Sequence, residues 1–168
     1  MIRFLEKIEN KILIFAFTKL ENNINIGKGT SVRKGFYLRT AGSGYIEIGE
    51  GCFFNRFFSG QCFEYIKIGQ NCIFGENVKI YDHNHEFRYL NVAIKDQGFN
   101  IKGVSIGDNV WVGSNVVILK GVHIGNNSVI AAGSIVKSDV PENSILRSTG
   151  IEPIRYIKDK RIPGRGDF

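Results

Sequence analysis

Every sixth residue from Ile106 to Val136 is aliphatic: Ile106, Val112, Ile118, Ile124, Ile130 and Val136. Ile, Val and Leu fill roughly a quarter of the chain, so six in register arise by chance in a given frame on the order of once in several thousand. A second track lies four positions after each aliphatic, at Val110, Val116, Val122, Ser128, Ser134 and Val140, all small or β-branched. Gly107, Gly113 and Gly125 directly follow three of the aliphatics. A helix repeats about every 3.6 residues and a strand every two, so neither gives this period. A short strand with one large and one small inward side chain, followed by a corner, does. Stacked on its copies, such a unit builds a solenoid around a continuous aliphatic column. Asn109, Asn115, Asn126 and Asn127 suit the positive φ that tight corners demand.

The same register recurs upstream in pieces: Ile68, Phe74 and Ile80; Ile48 and Phe54; Ile26, Val32 and Leu38. It breaks briefly at 39–44 and for longer between Glu86 and Gly103, where Lys, Asp, Gln and Gly accumulate. The longer break predicts a loop thrown out from the stack, the kind of excursion that carries function. Cys52 and Cys72 fall on the small-residue track and read as buried small hydrophobes. Cys62 lies in the irregular stretch 57–65 and has no place in the register. Three cysteines without a CxxC pair argue against a disulfide framework or a zinc knuckle, and for a reduced, cytoplasmic setting.

The 168 residues suit one domain with a real core, and 20 glycines against 3 prolines fit many regular turns. A formal charge of +6 favours anionic partners. The basic residues are scattered and no stacking motif accompanies them, which disfavours nucleic acid. Residues 1–22 carry apolar side chains in a helical pattern at Ile2, Leu5, Ile8, Ile12 and Phe15. The apolar run 12–17 is too short to span a bilayer, and no small-residue cleavage site follows it. Two readings stay open: a helix packed on the end of the domain, or a membrane-surface anchor aided by Lys7 and Lys11.

The unbroken stretch IGDNVWVGSNVVILKGVHIGNNSVIAAGSIVKSDVP, residues 106–141, resembles the hexapeptide-repeat acyltransferases, and the likeness extends over 24–157. That resemblance implies an all-β solenoid, a left-handed parallel β-helix of about five coils. It divides the chain into an N-terminal helical segment 1–22, the β-helix 23–157 and a C-terminal tail 158–168. It also implies acetyl-CoA as co-substrate, transfer of acetyl to a sugar hydroxyl in glycan or capsule modification, and a homotrimer with active sites between neighbouring solenoids.

Acetyl transfer from a thioester needs a base for the attacking group, and imidazole is the natural one near neutral pH. The chain has three histidines, two of them in IYDHNH at the edge of the long break. His85 falls five residues after Ile80, the last place of its hexapeptide. In the galactoside and maltose acetyltransferase branch the working histidine holds this place, so the resemblance implies His85 as general base. His83 then orients the site or contacts the acceptor, with Asp82 or a backbone carbonyl fixing the imidazole tautomer. Asn55 corresponds to an asparagine that hydrogen-bonds the acceptor sugar, with a plain corner asparagine as the alternative. Arg56, Phe57 and Phe58 are candidates for the acceptor pocket, Arg56 for an acidic sugar.

On the cofactor side, the resemblance places Trp111 beside the acetyl-CoA arm and Ser114 at the thioester end. Ala131, Ala132 and Gly133 leave backbone bare for the pantetheine amides. Lys137, Arg147, Arg155 and Lys158 supply cations for the CoA phosphates. Lys137 is followed by Ser138 where the family often has a threonine–lysine pair, and the tail STGIEPIRYIK is looser than usual. Three other readings compete. An N-acetyltransferase on an amino sugar would use the same imidazole. A γ-type carbonic anhydrase would need His83, His85 and His123 around zinc across a subunit interface, with His123 in a regular turn. A plain scaffold solenoid leaves the loop after His85 without a reason. The acetyltransferase reading holds no metal.

Overall fold

A computed structural model describes residues 23–154 of the chain, together with Ile14. The six-residue period closes into three-sided coils. Coil 1 runs through β1 (Ile24–Ile26), β2 (Ser31–Val32) and β3 (Tyr37–Thr40). Coil 2 uses β4 (Tyr45–Ile48), β5 (Phe53–Phe54) and β6 (Ser59–Cys62), and coil 3 uses β7 (Tyr65–Ile68), β8 (Ile73–Phe74) and β9 (Lys79–Tyr81). An arm follows, built on β10 (His83–His85) and β11 (Phe99–Ile101). Coil 4 has β12 (Val104–Ile106), β13 (Trp111–Val112) and β14 (Val117–Ile118), and coil 5 has β15 (His123–Ile124), β16 (Val129–Ile130) and β17 (Ile135–Val136). Val140 bridges to Ile124 and β18 (Ser144–Arg147) pairs with β16, so two sides of a sixth coil follow the five full ones. Last, β19 (Gly150–Pro153) folds back antiparallel on β18.

Corresponding strands pair in parallel, giving three sheets that are the faces of a parallel β-helix. The aliphatic track becomes the inward column of each face. Ile26, Ile48, Ile68, Ile106 and Ile124 stack on the first, and Val32, Phe54, Phe74, Val112 and Ile130 on the second. Leu38, Ile80, Ile118 and Val136 belong to the third, and all these side chains are buried. Full burial of a side chain this size contributes about 1.5–3 kcal/mol.

The second track fills the corners, and there the small polar residues bond to the next coil. Thr30 Oγ1 donates to the Gly49 carbonyl at 3.0 Å, Cys52 Sγ to Gly69 at 3.1 Å and Cys72 Sγ to Gly107 at 3.1 Å. The neighbouring Cys52 side chain, and after it burial, push the Cys72 thiol above its ordinary range. Cys62, which had no place in the register, is an inward residue of the prolonged strand β6 and donates to the Tyr45 carbonyl at 3.2 Å. The third face also has a gap. Gly60 takes the column position that Ile80 fills in coil 3, because a Cβ there would lie 2.9 Å from Leu38 Cδ2 and 3.7 Å from the Phe58 ring.

Left-handed corners fall on Asn71, Asn77, Asn109, Asn115, Asn127 and Asn143. Their amides form ladders between coils, Asn77 to Asn115 at 2.8 Å and Asn109 to Asn127 at 2.9 Å. Asn126, expected at positive φ, is not left-handed; its Oδ1 instead accepts the Asp108 N–H at 2.8 Å. The glycines after the first-face isoleucines answer to closeness. A Cβ on Gly49 would stand 2.6 Å from the carbonyl carbon of Gly69.

The break expected from Glu86 begins earlier. His83 pairs with Ile101 and His85 with Phe99, so both histidines stand on the arm's stem. The tip carries one short 3-10 turn, Ile94–Asp96. The helix expected over 1–22 lies outside the described residues except for Ile14, which is helical and packs against the core. Among the described residues no helix is long and apolar enough to cross a membrane.

Candidate active site

At the end of the third face the inward strand position passes from Cys62 in coil 2 to Asp82 in coil 3. Asp82 is fully buried, and its carboxylate is held by backbone donors from the turn of coil 2. Phe63 N–H reaches both oxygens, at 3.0 and 2.9 Å, and Glu64 N–H reaches one at 2.7 Å. The remaining bond goes to His83 Nδ1 at 2.9 Å. Hydrogen bonds to a carboxylate are roughly twice as strong as neutral ones, so this cluster fixes the start of the arm. With Nδ1–H given to Asp82, His83 Nε2 carries the lone pair that a base uses.

The His83 ring packs 4.1 Å from Phe63, with Phe99 edge-on at 5.4 Å. His85, two residues on, is exposed and lies 4.6 Å from the Phe99 ring. Both imidazoles line a cavity of about 230 Å³ with Arg39, Gln61, Phe63 and Phe99. Cys62 also reaches this wall but cannot serve as a nucleophile. Burial, helped by the nearby Asp82 carboxylate, pushes its thiol from an ordinary 9.0 up to about 12, leaving it protonated at neutral pH.

Asn55 does not line the cavity. It sits at the corner after β5, where its Oδ1 accepts the Arg56 N–H at 2.9 Å. Arg56 and Phe57 are exposed at the same corner. Phe58, expected in the acceptor pocket, is instead buried in the core, 4.6 Å from Phe54 and 5.5 Å from Phe36, because its track points inward at this corner. His123 stands on β15 in coil 5 and bonds through Nδ1 to Ser105 Oγ at 2.8 Å, on a different face and two coils away from the paired histidines.

A second hollow, about 680 Å³, lies over coils 5 and 6 and is lined by Ala131, Ala132, Gly133, Lys137, Leu146 and Arg147 among others. Ala132 and Lys137 line this same hollow. Trp111 and Ser114 stand one coil earlier: Trp111 outward on β13 and 55% exposed, Ser114 at the next turn with its Oγ accepting the Glu76 N–H at 3.1 Å. Arg147 is engaged by Glu152. Arg155 and Lys158 lie outside the described residues. The two hollows share no residue, and coil 4 separates them.

The sequence reading missed Arg39 and Gln61. They belong to coils 1 and 2 and reach the histidines only because Arg39 pairs with Gln61, and Gln61 with Tyr81, across three coils.

The family profile for "Bacterial transferase hexapeptide (six repeats)" matches residues 103–138. A hexapeptide-repeat-containing acetyltransferase from Vibrio cholerae is 32% identical and superimposes with a TM-score of 0.69, over 80% of this chain and 74% of that one. The chain belongs to the hexapeptide-repeat acetyltransferases. Its fold is accordingly a left-handed parallel β-helix. The same Vibrio cholerae enzyme, solved with acetyl coenzyme A, gives 30% identity and a TM-score of 0.67 over 80% and 72% of the two chains. A galactoside acetyltransferase in complex with coenzyme A is 26% identical with a TM-score of 0.65, over 94% of this chain and 88% of that one. In curated Escherichia coli (strain K12) galactoside O-acetyltransferase, 99 residues align at 39% identity, 56% of this chain and 46% of that protein. The chain likewise spans only 47% and 45% of two curated yeast relatives, about half their length.

Proposed function

We propose that this chain is an acetyl-CoA-dependent O-acetyltransferase whose acceptor is a sugar hydroxyl and whose general base is His85. The observation that carries the reading is the cavity walled by two imidazoles at the root of the arm, on a scaffold whose solved relatives hold acetyl coenzyme A and coenzyme A. Its size suits one sugar unit, being below the about 300–1,000 Å³ of pockets for drug-sized ligands. His85 takes the proton of the acceptor hydroxyl, the oxygen attacks the thioester carbon, and the thiol of CoA leaves with a proton. Acetyl-CoA supplies the acetyl group, which suits a cytoplasmic setting. Ala132 and Lys137, in the hollow over coils 5 and 6, hold its arm, with Trp111 and Ser114 beside the thioester and Arg155 toward the phosphates.

A homotrimer unites these parts. Within one chain the histidine cavity and the bare groove lie apart, while a second copy can bring Trp111 and Ser114 to His85. The arm supports such contact, since Phe87, Tyr89, Leu90 and Ile94 are all exposed on it, Leu90 at 97%.

One observation favours a second assignment within the same reaction: Asp82 orients His83, whereas His85 meets no such carboxylate among the described residues. A thiol-release assay with acetyl-CoA against a panel of sugars and amino sugars decides. Wild type turns over a hydroxyl acceptor, and His85→Ala loses about a hundredfold or more. Full activity in His85→Ala with loss in His83→Ala moves the base to His83. Turnover of amino sugars alone makes the enzyme an N-acetyltransferase. No binding or consumption of acetyl-CoA by the wild type ends the reading.

A further inference from the structure

Arg39 stands on β3 with its side chain outward, in a row with Gln61 of β6 and Tyr81 of β9 that ends at the root of the arm. Arg39 and Gln61 share the cavity with His83 and His85. Arg39 is exposed and, among the described residues, meets no carboxylate, whereas Arg88 is held by Glu86 and Arg147 by Glu152. Among the described residues no Asp or Glu lines the cavity. The carboxylates nearby are spent elsewhere: Asp82 lies buried beneath His83, Glu64 accepts the Gly103 N–H at 2.6 Å, and Glu86 accepts the Phe87 N–H at 3.0 Å. The remaining walls include the rings of Phe63 and Phe99. The cavity thus presents one unneutralised guanidinium, a neighbouring amide and two aromatic faces. Such a setting favours an anion at that point.

We propose that the acceptor carries a carboxylate, as uronic and sialic acids do, and that Arg39, seconded by Gln61, binds it while the imidazoles act on a hydroxyl. This inference rests on the acetyltransferase reading of the cavity. The planar guanidinium fork matches two coplanar oxygens and grips them in parallel. A phosphate monoester brings about −1.5 to −2 charges, which a single guanidinium leaves partly unmatched beside two phenyl rings. A neutral sugar would leave the guanidinium without its counter-charge. Arg56, the cation that the sequence offered for an acidic sugar, stands at another corner and does not reach the cavity.

The test compares matched ligands: N-acetylneuraminate with its methyl ester, and glucuronate with glucose, glucose 6-phosphate being a third arm. Equilibrium binding is measured by calorimetry, and acetyl transfer by thiol release, on the full chain. The acid of at least one pair binds wild type at least tenfold tighter than its neutral partner. Arg39→Ala reduces that ratio at least tenfold, mainly through KM, and Arg39→Lys restores part of it. Arg88→Ala, in the arm and outside the cavity, keeps the ratio. Equal binding of acid and neutral partners, a ratio unchanged in Arg39→Ala, or preference for the phosphosugar overturns the inference. Turnover of neutral sugars with no acid preference overturns it while leaving the acetyltransferase standing. Failure to consume acetyl-CoA with any acceptor strikes that reading instead, and the binding ratios still decide the role of Arg39.

Discussion

Coils 4 and 5 and coils 1 to 3 share one geometry but fill it differently. In the later coils each face adds a valine or isoleucine at a strict interval of six, and Asn109, Asn115 and Asn127 turn the corners. The earlier coils put Phe36, Phe54, Phe58 and Phe74 into the same interior, with ring centroids 4.6 Å apart for the closest pairs. Large rings disturb the rhythm: Gly60 must vacate a column position beside Phe58, and Phe57 takes a left-handed corner at φ 62°. Only the disturbed end leads into a walled cavity with two imidazoles. The regular end offers a shallow run of small residues, Ala131 to Gly133, open to a long ligand. Regularity therefore makes a track and irregularity makes a pocket.

The largest effect expected from this contrast is on stability. Phe54→Ala removes the ring that touches Phe36, Phe58 and Phe74 and costs about 3–5 kcal/mol in urea unfolding, whereas Ile118→Val in coil 4 costs about 0.5–1.5 kcal/mol. Similar losses would mean that the aromatic interior is no more than filler. Next comes the clamp at the pocket. Asp82→Asn lowers kcat/KM by about 10–100-fold, as loss of a group that orients an imidazole does; unchanged kinetics in a folded variant make His83 passive. A smaller effect has the opposite sign. Phe57 sits in a column with Gly35, Asn77, Asn115 and Gly133, and a left-handed non-glycine backbone costs about 1–2 kcal/mol. Phe57→Asn raises Tm by about 2–4 °C, and a drop instead would show that the ring supports its corner.

The last effect is confined to alkaline solution. Cys62 holds its proton up to about pH 12 in the fold but loses it near 9.0 when unfolded. The unfolded chain therefore releases more protons between these values. The stability that the buried thiol contributes is whole below pH 9.0 and fades as pH rises toward 12. Urea midpoints across this range fall less steeply in Cys62→Ala than in wild type; parallel slopes would place the alkaline sensitivity elsewhere.

The coils were legible because burial repeats locally: one large side chain every six residues, corner asparagines and glycines between. What escaped depends on contacts between coils. Cys62 had no period to obey because its strand runs on to prolong the third face. Asn126 offered the right residue type for a left-handed corner, yet its neighbour Asn127 took that conformation and Asn126 became a cap. The histidines were found by their edge position, and Asp82 beside them as a partner. Their arrangement on an antiparallel stem was hidden, since nothing in HNH announces pairing with FNI sixteen residues on. Arg39 was hidden more deeply. Its cavity is assembled from three coils, and no window of sequence holds it together with His83.

The arm leaves and rejoins the stack at nearly one point. Lys102 N–H donates to the Asp82 carbonyl at 2.8 Å, and Gly103 N–H to Glu64 beside it. Above and below, coil 3 lies on coil 4 in full register, Ile66 opposite Val104 and Ile68 opposite Ile106, as if nothing had been inserted. The arm is thus a detachable part, a tool held in a chuck. Its length and sequence can drift while every coil keeps its neighbours, and Phe99 brings one wall of the pocket along with it. Changes in the stem at Phe99 reach the acceptor pocket without disturbing the register of the coils beside it.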